Sequence, residues 1–321
     1  MATAGPLPRT DPEVAPMPNH RFSPVSEEEP CCNLSKKAKI FLAILCVLFV
    51  LTTIAVVVGV LWGRLVPKPK EWDGNGTTPN FPEIVLGRCY IYTKILRPEL
   101  SHKDCRKIGK AFMDAFLYKD PCSSTEQDYL PLLELTHQTV PCNKTLFWSK
   151  SSELAHQYTR VRQEMFTLEN TLLGYIADGL KWCGDADTSE INYGSCPKMG
   201  EQCNDTVFVF WNTVSKRFAE NACGVVQVVL NGSISNSFNK NSTFGRVEIY
   251  NLRPEKVPTL QAWVMHDIGD SSVSCSSSSI NDLKLILSNR NIKFTCHDNY
   301  RPIKFLQCVK NPEHSSCSSL I

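Results

Sequence analysis

From Ile40 to Gly63 the chain reads IFLAILCVLFVLTTIAVVVGVLWG, 24 residues without a charge. At about 1.5 Å per residue such a helix spans a bilayer core, and it exceeds the apolar runs usual in buried helices. The run predicts a transmembrane signal anchor over 40–63 rather than a cleaved leader, because 39 residues precede it. Trp62 suits the membrane interface. Beyond it the spacing turns amphipathic. Asp104 to Leu117 places Ile108, Ala111, Phe112, Ala115 and Phe116 on one helical stripe. Ser152 to Phe166, with Ser152 as N-cap, and Val207 to Ala222 predict two more helices. In the last third the period shortens. Val225 to Leu230 reads as a buried strand, and Arg246 to Tyr250 alternates, with Val247 and Ile249 on one side and Glu248 on the other. Ala262–His266 and Ile292–Thr295 are further strands around an Ile280–Arg290 helix. Strands so separated favour parallel pairing. The expected fold class is α/β in a two-lobed α+β arrangement. A mostly helical lobe spans about 81–223, and an α/β lobe with a small, mainly parallel sheet spans about 224–321.

Residues 1–39 are rich in proline and acid, carry five basic and five acidic residues and show no apolar period. They predict a disordered cytosolic tail. Residues 64–80 form a Pro/Gly/Asn-rich stalk, and 81–321 are enough for one large domain or two lobes. Lysines flank the apolar run on both sides, so charge does not orient it. Cysteines do. Twelve of the 15 follow the run, singly spaced and without a C-x-x-C pair, which suits disulfides in an oxidising compartment better than zinc sites. The sequons at Asn75, Asn143, Asn204, Asn231 and Asn241 lie on the same side, against Asn33 alone before the run. The expected topology is therefore single-pass type II at the cell membrane. Cys31 and Cys32 at the inner face are palmitoylation candidates, with idle reduced thiols the equal alternative.

After the anchor, 29 basic and 27 acidic residues show no basic stripe, so nucleic acid is a poor partner. H-E-x-x-H, G-x-S-x-G, Walker A and G-x-G-x-x-G patterns are absent, and seven scattered histidines suggest no metal set. What remains is a group of acids and tryptophans in apolar surroundings: Trp148, Glu169, Asp178, Trp211 and Glu248. Taken singly, the tryptophans read as core packing, Glu169 and Asp178 as solvated helix positions, and Glu248 as the wet face of an edge strand.

Taken together, five stretches change that reading. CNKTLFWSK (142–150), MFTLENTLLGYIADGLKWCG (165–184), VFWNTVSKRFAENAC (209–223), NSTFGRVEIYNL (241–252) and YRPIKFLQCVKNPEHSSC (300–317) resemble the ADP-ribosyl cyclase/cyclic ADP-ribose hydrolase family, in particular its type II membrane form. The resemblance implies an enzyme that cleaves the nicotinamide–ribose bond of NAD. Its products would be ADP-ribose with some cyclic ADP-ribose, and it would also hydrolyse cyclic ADP-ribose and exchange the base of NADP with nicotinic acid. NAD and NADP are then substrates, and neither cofactor nor metal is implied. Glu248 matches the catalytic carboxylate, and Glu169 the acid that balances cyclisation against hydrolysis. Trp148 and Trp211 match the aromatic walls, and Asp178 a holder of the carboxamide. Ser149, Lys150, Ser215, Thr243 and Phe244 match positions around the diphosphate and ribose. Lys150 and Asn170 depart from the arginine and aspartate of the family form. The resemblance also implies the pairs Cys89–Cys105, Cys122–Cys203, Cys142–Cys223, Cys183–Cys196, Cys275–Cys296 and Cys308–Cys317. A homodimer and a cell-surface protein ligand stay open as partners, and a receptor or adhesion molecule with little catalysis is the rival reading.

Overall fold

A computed structural model describes residues 35–65, 71–186, 188, 190–270 and 272–318. Cys31, Cys32, Asn33, most of the tail and the side chain of Trp62 lie outside the described residues. The chain divides into two compact units, Met1–Pro69 and Lys70–Ile321. In the first, the apolar run forms one helix, α1 (Lys36–Leu65), long and apolar enough to cross a membrane.

The second unit carries six strands among the described residues: β1 (Gly74–Asn75), β2 (Leu146–Ser149), β3 (Ser195–Cys196), β4 (Val225–Asn231), β5 (Thr259–Met265) and β6 (Lys293–Asp298). Its helices are α2 (Phe81–Ile91), α3 (Cys105–Asp114), α4 (Leu130–Leu135), α5 (Ser152–Val161), α6 (Leu172–Ala177), α7 (Thr206–Asn221), α8 (Ile249–Asn251), α9 (Ser278–Ser288), α10 (Arg301–Lys310) and α11 (Ser315–Ser318). Strands β2, β4, β5 and β6 form a parallel sheet in the order β2-β4-β5-β6, and β1 pairs antiparallel with β3.

Both faces of the parallel sheet are covered, as its near-continuous apolar strands require. Alternation decides which residue faces which core. Val226, Val228, Leu230, Leu260, Ala262 and Val264 join a large cluster with Ile108, Ile176, Phe210 and Leu283 from α3, α6, α7 and α9. Leu146, Val229, Trp263 and Met265 turn the other way, onto Ala155 and Tyr158 of α5 and Ile303 of α10. Within the large cluster Phe112 stacks on Phe210 at 5.4 Å, and Trp182 meets both rings edge-on at 5.0 Å. The Trp182 indole N–H donates to Tyr129 Oη at 3.2 Å, and that hydroxyl donates to the Thr206 carbonyl at the start of α7.

Several helix limits differ from those expected: α3 starts at Cys105 rather than Asp104, α7 at Thr206 rather than Val207 and α9 at Ser278 rather than Ile280, and in each case a cap explains the start. Asp104 Oδ1 accepts from Arg106 and Lys107 N–H, Asp205 Oδ1 from Val207 and Phe208 N–H, and Ser277 Oγ from Ile280 N–H. The helix expected over 152–166 ends at Val161, and Met165–Phe166 instead run beside β2, where the Leu146 N–H donates to the Phe166 carbonyl at 2.8 Å. Ser152 is its first helical residue, not its cap. Ser151 occupies the cap position, but its hydroxyl donates to the Val229 carbonyl at 2.7 Å and ties α5 to the sheet.

Two expectations need stronger correction. Arg246–Tyr250 is not a strand: Phe244–Glu248 is a π-helical turn that continues into α8. Five residues are under one and a half helical turns, too short a window for alternation to exclude a helix. A Cβ on Gly245 would lie 2.3 Å from the Asn239 carbonyl, so the turn packs tightly on the loop before it. Conversely, LFWS in the expected helical half is β2, and it contributes an edge of the sheet.

The six disulfides join Cys89–Cys105, Cys122–Cys203, Cys142–Cys223, Cys183–Cys196, Cys275–Cys296 and Cys308–Cys317. Two of them brace α7 from both ends. Cys203 lies just before its cap and Cys223 just after its last turn, and each partner lies 81 residues upstream. Beside the second bridge, the Asn143 N–H donates to the Cys223 carbonyl at 2.8 Å, and the Val225 N–H donates to Asn143 Oδ1 at 2.7 Å. Replacing Cys142 and Cys223 together by alanine should cost about 4 kcal/mol in the loop-entropy limit. That corresponds to a melting temperature about 10 °C lower, read by thermal denaturation without reductant. An unchanged melting temperature would mean that the hydrogen bonds alone hold the junction.

Candidate active site

All ten residues singled out from the sequence line one cavity of about 780 Å³. They reach it from separate elements. Trp148, Ser149 and Lys150 lie at the carboxyl end of β2. Glu169 lies on a 3₁₀ turn (Leu168–Asn170), Asp178 at the end of α6, Trp211 and Ser215 on α7, and Thr243, Phe244 and Glu248 in and before the π-helical turn. The C-terminal end of a parallel strand is a common place for such a cleft. β1 and β3 also contribute Gly74, Asn75 and Cys196 to its wall.

The π-helical turn reverses the exposure expected for Glu248. The carboxylate is 7% exposed, not on a wet face. Burial pushes its pKa up to about 8, the nearby Glu169 adds to the rise, and a hydrogen bond from Ser215 opposes it. Glu169 behaves in the opposite way. Burial would raise it, but His156, hydrogen bonds and the charge of His156 outweigh burial and hold it below the usual carboxylate range. Trp148 Nε1 donates to Glu169 Oε2 at 3.2 Å, and His156 Nε2 stands 3.2 Å from the same oxygen. Of the acids in the cleft, Glu169 thus has donors around it that favour its charge, whereas burial and the neighbouring Glu169 disfavour the charge of Glu248.

Lys150 sits in left-handed backbone geometry, φ 56°, with its carbonyl accepting from Asn231 Nδ2 at 3.2 Å. Asn170 closes the 3₁₀ turn, its Oδ1 accepting from Thr167 N–H at 2.9 Å and Thr167 Oγ1 at 3.0 Å. Two residues near this cleft are not evident from sequence. His156 looks like any polar position on an amphipathic helix, and only the fold brings it to Glu169. Arg246 lines the cavity, lies over the Phe208 ring at 4.8 Å and donates to Asn212 Oδ1 at 2.9 Å. Among the described residues no cluster of His, Cys, Asp and Glu is suited to a metal.

Helices, a small parallel sheet and six disulfides together frame a cleft lined by the acids Glu169, Asp178, Asp205 and Glu248 and the tryptophans Trp148, Trp182 and Trp211, the kind of concave pocket an enzyme uses. The family model for ADP-ribosyl cyclase matches residues 78–317, and the chain belongs to that family. It is 59% identical over 303 residues to ADP-ribosyl cyclase/cyclic ADP-ribose hydrolase 1 of Rattus norvegicus, covering 94% of this chain and 99% of the relative. It is 36% identical over 250 residues to ADP-ribosyl cyclase/cyclic ADP-ribose hydrolase 2 of Homo sapiens, covering 77% and 78%. Among solved structures it is similar to porcine CD38 complexed with a covalent intermediate, ribo-F-ribose-5'-phosphate. The TM-score there is 0.69 at 62% identity, over 71% of this chain and 99% of that one.

The raised Glu248 pKa has a consequence for stability. As a neutral acid Glu248 costs the folded state nothing extra below its ordinary value of 4.5, and the penalty for ionising it grows as pH rises towards about 8. Glu248→Gln removes that penalty. Its melting temperature should match the wild type at pH 4 and exceed it by about 3 °C or more at pH 8.5. The same difference at both pH values would show that Glu248 ionises freely in the folded protein.

Proposed function

We propose that this chain is a membrane-anchored ectoenzyme that cleaves the nicotinamide–ribose bond of NAD. Most of the product is ADP-ribose and some is cyclic ADP-ribose. The same site hydrolyses cyclic ADP-ribose and exchanges the base of NADP with nicotinic acid. The observation that carries this reading is Glu248, buried with Trp148 and Trp211 in one cleft of an ADP-ribosyl cyclase family member.

The chemistry needs little more. Nicotinamide leaves as a neutral base from a cationic pyridinium, so no general acid has to protonate it. One carboxylate suffices to capture the oxocarbenium-like ribosyl centre, as the nucleophile of a retaining glycosidase does. Glu248 is that group, and the pyridinium of the bound substrate supplies the cation that its pocket lacks. Trp148 and Trp211 flank the flat cationic ring and exclude water. Glu169 and Asp178 hold the carboxamide. Ser149, Lys150, Ser215, Thr243 and Phe244 hold the diphosphate and its ribose, with the donors of Ser149 and Ser215 buried at 4% and 3% exposure. After nicotinamide departs, water or N1 of the folded-back adenine attacks the same carbon, so the wetness of the cleft sets the product.

The anchor, the disulfides and the sequons support a type II orientation with the catalytic unit outside. Asn143 and Asn204 are exposed and Asn231 is half-buried, which suits glycan attachment on that side, whereas Asn75 and Asn241 are exposed at the cleft itself. A receptor with little catalysis is not favoured, since such a molecule has no need to retain Trp148, Trp211, Glu169, Asp178 and Glu248 in one cleft.

The test is product analysis with NAD supplied to intact cells that express the full chain. ADP-ribose and nicotinamide should accumulate in the medium, and Glu248→Gln at equal surface level should lower turnover by roughly a thousandfold or more. NAD left untouched by the wild-type chain at the surface would refute the enzyme reading.

A further inference from the structure

His156 is a titratable group that touches the cleft's acids and has no part in the chemistry above. It lies on α5, its side chain 25% exposed against 13% for Glu169, with its Nε2 3.2 Å from Glu169 Oε2. Its ring meets Trp148 edge-on, with centroids 6.0 Å apart and planes at 80°. Three groups of different origin close on one point: Trp148 from β2, His156 from α5 and Glu169 from the 3₁₀ turn.

The charged groups acting on His156 are Glu169, Asp178 at the end of α6, and Arg160 one turn along α5. Two carboxylates against one guanidinium favour the imidazolium, and the hydrogen bond to Glu169 favours it further, against burial. Glu169 in turn acts electrostatically on Glu248. An unpaired charge at Glu169 would make a second charge in the same cleft harder to form, and a paired one relieves this.

Resting on the proposed NAD-cleaving reading, we propose that His156 is a positioning residue. Its imidazolium pairs with Glu169 Oε2, so that the second acid of the cleft is charge-neutralised and fixed against Trp148 beside the Glu248 nucleophile. His156 acts only through Glu169 and exchanges no proton with the substrate.

Two measurements on the full-length chain in detergent test this. The first is the pH profile of kcat/KM for NAD, whose acid limb reports Glu248 in the free enzyme. His156→Gln keeps a donor but removes the charge, and should move that limb up by roughly half a pH unit or more, with KM for NAD rising. His156→Lys restores a cation and should bring the limb back. An unmoved limb in His156→Gln, or a loss of activity in both variants with the same pH profile, would leave His156 a packing residue and overturn the proposal.

The second measurement needs no turnover, and so separates this proposal from the enzyme reading. An imidazolium against the indole edge quenches tryptophan emission, so the difference between wild type and Trp148→Phe should show a pH-dependent step with its midpoint above 6.5. That step should vanish in His156→Gln and move to lower pH in Glu169→Gln. A step absent from the wild type, or indifferent to Glu169→Gln, would refute the pairing even if NAD is cleaved. A step that behaves as expected in a chain that leaves NAD untouched would keep the pairing and refute the enzymatic reading alone.

Discussion

The buried carboxyl of Glu248 is the constraint on which the site depends. Burial and Glu169 act against its charged form, and the Ser215 hydroxyl is the group that favours it. A carboxylate in such surroundings is reactive because it is poorly solvated, and it is tolerable to the fold because it can stay protonated. In the proposed chemistry a cationic substrate resolves the conflict. Its pyridinium replaces the missing counter-charge, so binding and ionisation favour each other. Hydrolysis and cyclisation then differ only in which nucleophile reaches the carbon next.

Such a site demands rigid walls, and the architecture supplies them from pieces far apart in the chain. Trp148 is the third residue of a four-residue edge strand, and Trp211 rides on α7 beside Phe210, whose ring is locked among Phe112, Tyr129 and Trp182. Glu248 sits in a π-helical turn, a wide and uncommon turn frequent at functional sites. Here it turns the carboxyl inward where an ordinary strand would have left it wet. The bridges at the two ends of α7 keep the helix in place relative to the Pro121–Ser123 turn and the approach to β2.

How much of this was legible in the sequence follows from length and redundancy. Val207 to Ala222 was readable because four turns repeat the same apolar face, and Val225 to Leu230 because a short β-branched run suits a buried parallel strand. Leu146–Ser149 was not, since three apolar residues and a serine in a helical context are too few to fix a period. Arg246–Tyr250 was misread for the same reason. The cleft itself was legible only through family resemblance. Its ten residues come from five separated segments, each unremarkable alone, and nothing in their spacing says that loops closed by 81-residue bridges will bring them together. His156 shows the limit of that route as well, because a histidine on an amphipathic helix carries no mark of what it will face.

The two departures from the family pattern have different weight for structural reasons. Asn170 Oδ1 accepts the same two bonds from Thr167 that an aspartate oxygen would, so the 3₁₀ turn carrying Glu169 closes without a second negative charge beside it. The substitution leaves geometry in place and eases the field on Glu169 and, through it, on Glu248. Lys150 keeps its charge but not the planar fork of a guanidinium, and it projects from a left-handed position whose carbonyl is held by Asn231. In the proposed reading a lysine there meets the diphosphate as a point charge and leaves the second bond to neighbouring hydroxyls. On that reading this chain differs from a form with arginine at position 150 in its grip on the nucleotide, and agrees with it at the bond that breaks. The grip depends on the long flexible side chain of Lys150, whereas the chemistry depends on Glu248, which the packing of the whole second unit keeps dry.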